Sequence, residues 1–201
     1  RQLFWFGEFD PWVDETLRNF ARPGSVAIDV GANIGTTALV LADAVGSNGR
    51  VICFEPAPWS LECLRKNIAA NNVRWVQVEP LALSDANGDA AISFPDGYPG
   101  MARLGAGGTP VKTVAFDDWL AQQPPMDISI CKIDVEGHEA EVFAGMSRVL
   151  STKAIRTFVF ERFTRAPEID PVIATLRSYG YEVLHICKGF QAPRYIRIGA
   201  A

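Results

Sequence analysis

The chain has 201 residues, 48% hydrophobic, 21% charged and 10% aromatic, a globular composition that excludes disorder, collagen-like repeats and disulfide miniproteins and predicts a single domain over 1–201. Nineteen basic against 23 acidic side chains leave a formal charge of −4, without the basic excess of a nucleic-acid reader. No apolar run approaches the ~18 residues that cross a bilayer, so neither nucleic acid nor membrane is expected as a partner.

Residues 1–22 open with Phe4, Trp5, Phe6, Phe9 and Trp12 crowded together; so aromatic an arm must pack on the rest of the chain or fold over a cleft. Ser25–Val30 reads as a buried strand ending at Gly31, and a helix follows from about Gly35 to Ala44, closed by Gly46 and a turn at Ser47–Gly49. Arg50–Glu55 is a second strand. Trp59–Ala70 places Leu61, Leu64 and Ile68 on one helical face, and Val73–Glu79 is a third strand. Small strands at Ala90–Phe94 and Val111–Val114 then flank a Gly-rich loop at 97–108, the expected substrate loop. Further strands at Asp127–Ile133, Ile155–Phe160 and Glu182–Ile186 alternate with helices at Glu139–Leu150 and Ile169–Tyr179, and Tyr195–Ile198 closes the series. Apolar strands joined by helices predict a doubly wound, mostly parallel α/β sheet.

Cys53, Cys63, Cys131 and Cys187 form no CxxC pair, which argues against structural zinc; read as small buried hydrophobes they favour a reducing, cytoplasmic setting. The chain starts at Arg1 in place of Met and lacks the pattern of a secretion signal, as expected of a processed chain or a piece of a longer chain or assembly.

The most informative string is Asp29-Val30-Gly31-Ala32-Asn33-Ile34-Gly35, where the first strand turns into a helix. Gly31 and Gly35 allow a sharp turn and close approach of a ligand, and the helix start presents unpaired N–H groups. Glu55, at the end of the second strand, stands where a carboxylate accepts both hydroxyls of a ribose. Together they predict a nucleoside pocket. Asn33 occupies the second glycine position of a G-x-G-x-x-G fingerprint, so a pyrophosphate is not provided for, whereas Asp29 suits a ligand carrying an amino group and a sulfonium, as S-adenosylmethionine does.

DVGANIG at 29–35, FEP at 54–56, LALSD at 81–85, VKTVAFDDWL at 111–120 and KIDVEGHEAEVFAGM at 132–146 resemble the FkbM family of S-adenosylmethionine-dependent methyltransferases. The resemblance implies a Rossmann-like class I methyltransferase fold, seven-stranded with the last strand antiparallel, and O-methylation of a small hydroxyl acceptor such as a sugar or polyketide. It further implies that Asp29, Gly31, Asn33 and Gly35 line the methionine end of the cofactor, with Asp134 beside it, that Glu55 holds the ribose, and that Ser84 and Asp85 sit beside the adenine.

Asp134, Glu136 and His138 follow the fourth long strand at alternate positions and Glu161 ends the fifth, so neighbouring strand ends bring all four to one crevice around the acceptor hydroxyl. Three roles stay open. His138 serves as the base, since an imidazole is largely neutral at physiological pH; or the group holds Mg²⁺ or another divalent ion; or it is a structural network. His185, inside a hydrophobic strand, is expected in the core. Glu139 and Glu141 suit the start of a helix, as do Asp117 and Asp118, and Arg103, Arg162 and Lys188 face either substrate or solvent. The competing functions are a nicotinamide-dependent oxidoreductase, disfavoured by the missing glycine, and a catalytically silent nucleoside-binding module.

Overall fold

The computed structural model of the protein describes residues 10–94, 103–105, 107–161, 170–187 and 194–197. Phe4 to Phe9 of the aromatic arm, positions 97–102 and 106 of the Gly-rich loop, Arg162 and Lys188 lie outside them.

Five strands form the central sheet: β1 (Val26–Val30), β2 (Arg50–Phe54), β3 (Val76–Glu79), β8 (Ile128–Ile133) and β9 (Ile155–Phe160), all parallel, in the order β3-β2-β1-β8-β9. The chain leaves β1 for β2 on one side and later reaches β8 on the other, so β1/β8 is the switch point where a crevice opens beyond the strands' carboxyl ends.

Alternate residues feed two apolar layers, because successive side chains of a strand point to opposite faces. Ala27, Val51, Cys53 and Ile130 pack on one face with Leu17 of α1 (Pro11–Phe20), Ala38 and Leu41 of α2 (Thr36–Val45) and Leu64 of α3 (Pro58–Ala70). Ile28, Ile52, Phe54, Cys131 and Ile133 pack on the other. Their partners include Phe116 and Trp119 of α4 (Phe116–Ala121), Val142 and Phe143 of α5 (Glu139–Ala144), Val149 of α6 (Ser147–Thr152) and Ile173 of α7 (Pro171–Ser178). Helices on both faces explain why the inner strands β1, β2 and β8 are buried almost throughout, whereas the edge strand β3 carries Gln77 and Glu79 on one side. At roughly 1.5–3 kcal/mol for each fully buried large aliphatic or Phe side chain, these layers dominate the folding free energy.

The expected helix over Glu139–Leu150 is two helices broken at Gly145 and Met146. A Cβ on Gly145 would stand 2.1 Å from the Ser84 carbonyl oxygen, so the close pass against β4 (Ala82–Ser84) requires glycine. The second helix is capped from outside: the buried Asp117 carboxylate accepts from the backbone N–H groups of Arg148 at 2.6 Å and Val149 at 3.0 Å.

The seven-stranded expectation is revised among the described residues. The last strands, β10 (Leu184–Cys187) and β11 (Arg194–Arg197), pair antiparallel with each other as a separate ribbon. That ribbon leans on α1, where Tyr195 meets Phe20 edge to face with ring centroids 5.7 Å apart. His185 is correspondingly exposed rather than in the core, because a two-stranded ribbon outside the main sheet has few layers to hide it. The insert forms a second sheet, β4-β7-β5-β6, with β5 (Gly88–Ser93), β6 (Arg103–Gly105) and β7 (Thr109–Ala115). Part of the expected loop is therefore strand. Ile92 and Val111 of this sheet pack on Ala57, just past Glu55.

Candidate active site

Strand-like hydrogen bonding continues past the strand ends and shapes the crevice. The N–H groups of Gly31 and Ala32 both donate to the Phe54 carbonyl, Asp134 N–H to Val30, and Glu161 N–H to Ile133. Four neighbouring strand ends, those of β2, β1, β8 and β9, are thereby held against one another.

On one side lies the glycine turn. Gly31 (φ +73°), Asn33 (φ +49°) and Gly35 (φ +95°) all take left-handed backbone, a conformation that glycine adopts freely and asparagine tolerates. At Gly31 the need is absolute, since a Cβ there would lie 1.9 Å from the Asp134 carbonyl oxygen. Glu55 clamps the turn. Its Oε2 accepts from Asn33 N–H and its Oε1 from Ala57 N–H, each at 2.8 Å. Burial pushes its carboxyl above the ordinary value while the Ala57 and Asn33 amides pull the other way. Each carboxylate oxygen keeps a further lone pair, so two acceptors remain for a pair of vicinal hydroxyls.

Asp29 is sealed beneath this turn, with none of its surface accessible. Its Oδ2 accepts from Thr37 Oγ1 at 2.8 Å and its Oδ1 lies 3.6 Å from Lys132 Nζ. Expected to line the cofactor, Asp29 instead supports the loop from below. Burial raises its pKa even though the Lys132 ammonium opposes the rise.

On the other side stand Asp134, Glu136 and Glu161. Asp134 shares a hydrogen bond with Glu161, whose pKa is pushed up to about 7, first by desolvation and then by the charges of Asp134 and Glu136. Glu136 takes left-handed backbone at φ +54°, followed by Gly137 at +100°. The turn is tied by the buried Glu139, whose Oε1 accepts from Val135 and Gly137 N–H. Burial and Asp134 raise Glu136, and the Arg103 guanidinium of β6 opposes them. Arg103 therefore belongs to this side of the site.

His138 is placed differently. Its Nε2 lies 3.0 Å from Ser84 Oγ, which also donates to Asp85 Oδ1 at 3.0 Å, and its Nδ1 lies 3.5 Å from Glu141 Oε2. Nε2 is thus engaged on the Ser84–Asp85 side and Nδ1 faces Glu141 of α5, while Asp134, Glu136 and Glu161 form a cluster of their own. Among the described residues no three His, Cys, Asp or Glu side chains are grouped to hold a metal ion.

Comparison with known proteins decides the family: the profile described as Methyltransferase FkbM domain matches residues 29–183. The chain belongs to the FkbM methyltransferase family. It is 30% identical to 31-O-demethyl-FK506 methyltransferase FkbM of Streptomyces tacrolimicus, over 81% of this chain and 75% of that protein. It is 33% identical to the hexuronic acid methyltransferase AglP of Haloferax volcanii, over 73% of this chain and 59% of the relative. Among solved structures, methyltransferase FkbM of Methylobacillus flagellatus KT superimposes with a TM-score of 0.56 at 16% identity, covering 83% of this chain and 44% of that one. An S-adenosylmethionine-dependent O-methyltransferase of Thermotoga maritima gives 0.55 at 14%, covering the whole of this chain and 66% of its own. The chain thus spans less than half of one solved relative and under two thirds of the second curated one. Within the FkbM domain, the string KIDVEGHE hides a group that sequence reasoning passed over: Lys132, which reads as an interruption of an apolar strand, is buried between Asp29 and Asp134. The signal available was the lysine itself, because an unpaired ammonium is rarely buried.

Proposed function

We propose that this protein is an S-adenosylmethionine-dependent O-methyltransferase acting on a hydroxyl of a small molecule such as a sugar, sugar acid or polyketide. The observation that carries the reading is the two-sided crevice at the β1/β8 switch point, a Glu55-clamped glycine turn on one side and the Asp134–Glu161 carboxyl pair on the other. The residues fit the donor. Glu55 retains two acceptor positions for the ribose hydroxyls, Ser84 and Asp85 offer polar atoms for an adenine edge, and Gly31, Asn33 and Gly35 supply bare backbone. Asp29, Asp134, Glu136 and Glu161 outnumber Lys132 and Arg103, a balance suited to a cationic donor and adverse to a pyrophosphate. The names of two relatives, a 31-O-demethyl-FK506 methyltransferase and a hexuronic acid methyltransferase, support a small-molecule acceptor.

S-adenosylmethionine, when bound, supplies a methyl group activated by a sulfonium. The chain's task is to align the acceptor oxygen and take its proton. Glu161 suits the base role: a carboxyl group with a pKa of about 7 is half ionised at neutral pH and accepts a proton far more readily than an ordinary glutamate. Asp134 orients it through their shared hydrogen bond, and Glu136 and Arg103 flank the acceptor. His138 holds Ser84 in place.

The test is thermal unfolding with S-adenosylmethionine, S-adenosylhomocysteine, NAD and NADP, since a ligand that binds only the native state raises its stability by mass action. The two adenosyl compounds should raise the Tm and the dinucleotides should not; a shift with NADP alone would overturn the proposal. A panel of hydroxylated acceptors with an isotopically labelled methyl donor then finds the acceptor class.

A further inference from the structure

Lys132 is the group that neither the donor side nor the acceptor side accounts for. It sits in the middle of the sheet on β8, in register with Asp29 of β1, and period-two alternation puts Ile130, Lys132 and Asp134 on one face. Only 8% of its side chain is exposed. Its Nζ lies 3.6 Å from Asp29 Oδ1, 3.4 Å from Asp134 Oδ2 and 3.5 Å from the Gly31 carbonyl oxygen. Those three partners belong to different halves of the crevice: Asp29 and Gly31 to the donor turn, Asp134 to the acceptor carboxyls.

We propose that Lys132 is a positioning residue for methyl transfer, its ammonium tying the underside of the donor turn to Asp134 so that the two halves of the crevice are set relative to each other. A lysine placed only to neutralise Asp29 would need neither Asp134 nor Gly31. One placed for an acceptor would not be sealed under the turn. Two carboxylates sharing one ammonium leave one net negative charge at the centre of the site, complementary to a cationic donor. Burial favours the neutral amine, but Asp29 and then Asp134 outweigh it and the Lys132 pKa is raised; the group stays charged.

The inference rests on the donor and acceptor assignment above, and its test is chosen to need neither turnover nor an acceptor. The probe is the Glu161 carboxyl, whose hydrogen bond to Asp134 makes it report on that residue's surroundings. Asp134, Glu136 and Lys132 are the charges acting on it, with Arg103 facing Glu136 from β6. In protein labelled with ¹³C at Glu carboxyls, titrated without ligand, Lys132→Met should raise the Glu161 midpoint, because it removes a cation that holds the carboxyl down. In parallel calorimetry, the same variant should bind S-adenosylmethionine about tenfold or more weakly, since the turn loses its anchor at Gly31 and Asp29. If the lone uncompensated Asp29 prevents folding, Asp29→Asn/Lys132→Met removes both charges of that pair, and the Glu161 shift must still be seen in it. A folded variant with an unmoved Glu161 midpoint and wild-type donor affinity overturns the proposal and makes Lys132 a packing residue. Failure of the wild type to bind S-adenosylmethionine would instead defeat the functional reading, and the titration would still decide whether Lys132 controls the carboxyl cluster.

Discussion

The two sides of the crevice are built from different materials. The proposed donor side is mostly backbone: left-handed glycines, amides held by a buried Glu55, and a sealed Asp29 below. The proposed acceptor side is side chains: Glu136 and Glu161 project from a turn and a strand end, half-buried or exposed, beside an insert that packs as its own sheet. A ligand recognised by backbone shape leaves little freedom in sequence, whereas one recognised by projecting side chains leaves a great deal. That is why the donor class reads out of a short string and the acceptor does not.

The largest expected effect tests the acceptor side. If Glu161 is the base, Glu161→Gln should lower turnover by about 10² to 10⁴ while leaving donor affinity within a few-fold, as calorimetry would show. The pH profile follows from the sign of the shift. A carboxylate base works only when deprotonated, so kcat/KM should rise with pH through about 7 and flatten above, and the variant should lack that limb. Linkage gives the stability the opposite slope: the folded state holds the Glu161 proton more tightly than an unfolded chain, so its contribution is complete below the ordinary glutamate pKa and is lost as pH rises towards about 7. A profile without a limb near neutrality would move the base elsewhere.

The next effect tests the donor side by sterics alone. Gly31→Ala combines a left-handed φ with a Cβ 1.9 Å from a backbone carbonyl, so the strand ends must part. Urea denaturation should show a loss of about 2–5 kcal/mol, with donor binding abolished. Gly24→Ala shares the positive φ but meets nothing within 4 Å, and should cost only about 1 kcal/mol. Equal losses in the two would mean that backbone strain, not the closeness of Gly31 to Asp134, governs the turn.

Glu55→Ala comes third. It removes the acceptor of two amides and of the proposed ribose hydroxyls, charge-assisted bonds worth roughly 1.5–3 kcal/mol, and should weaken S-adenosylmethionine binding about ten- to a hundredfold. Unchanged affinity in a folded variant would move the pocket away from the turn.

The same contrast governs what was legible in the sequence. The inner parallel strands β1, β2 and β8 announce themselves because burial on both faces makes them nearly continuously apolar, and Gly31, Gly35 and Glu55 fall where strand ends place them. Helix α1 was missed beneath the aromatic crowding, although Asp10-Pro11 carries its own start signal: Asp10 Oδ1 accepts from the N–H groups of Trp12 and Val13, and proline suits the first helical position. Asp170-Pro171 starts α7 in the same way. The pairing of β10 with β11, by contrast, is a choice between partners that differ little in local pattern, and only tertiary context makes it. Asp29 shows the limit at the site. Its type and position were visible, but whether it faces a ligand or lies beneath the turn depends on Thr37 and Lys132 arriving from two other elements.

The smallest expected effect is the sharpest for the division between the two sides. His138 stands in sequence among the acceptor carboxyls, two residues beyond Glu136, yet its Nε2 is spent on Ser84 and its Nδ1 faces Glu141. The turn at Glu136 and Gly137, both left-handed, is what separates it: reversing the chain there breaks the alternation that would have aligned Asp134, Glu136 and His138. On this geometry His138→Ala removes one hydrogen bond, worth about 1 kcal/mol. Donor affinity should fall about fivefold as Ser84 and Asp85 loosen, and turnover at saturating donor should change by less than about tenfold. A base at this position would lose about 10² to 10⁴ in turnover with donor affinity nearly intact. The two outcomes differ in both magnitude and parameter, so one variant assigns the imidazole to the donor side or returns it to the acceptor.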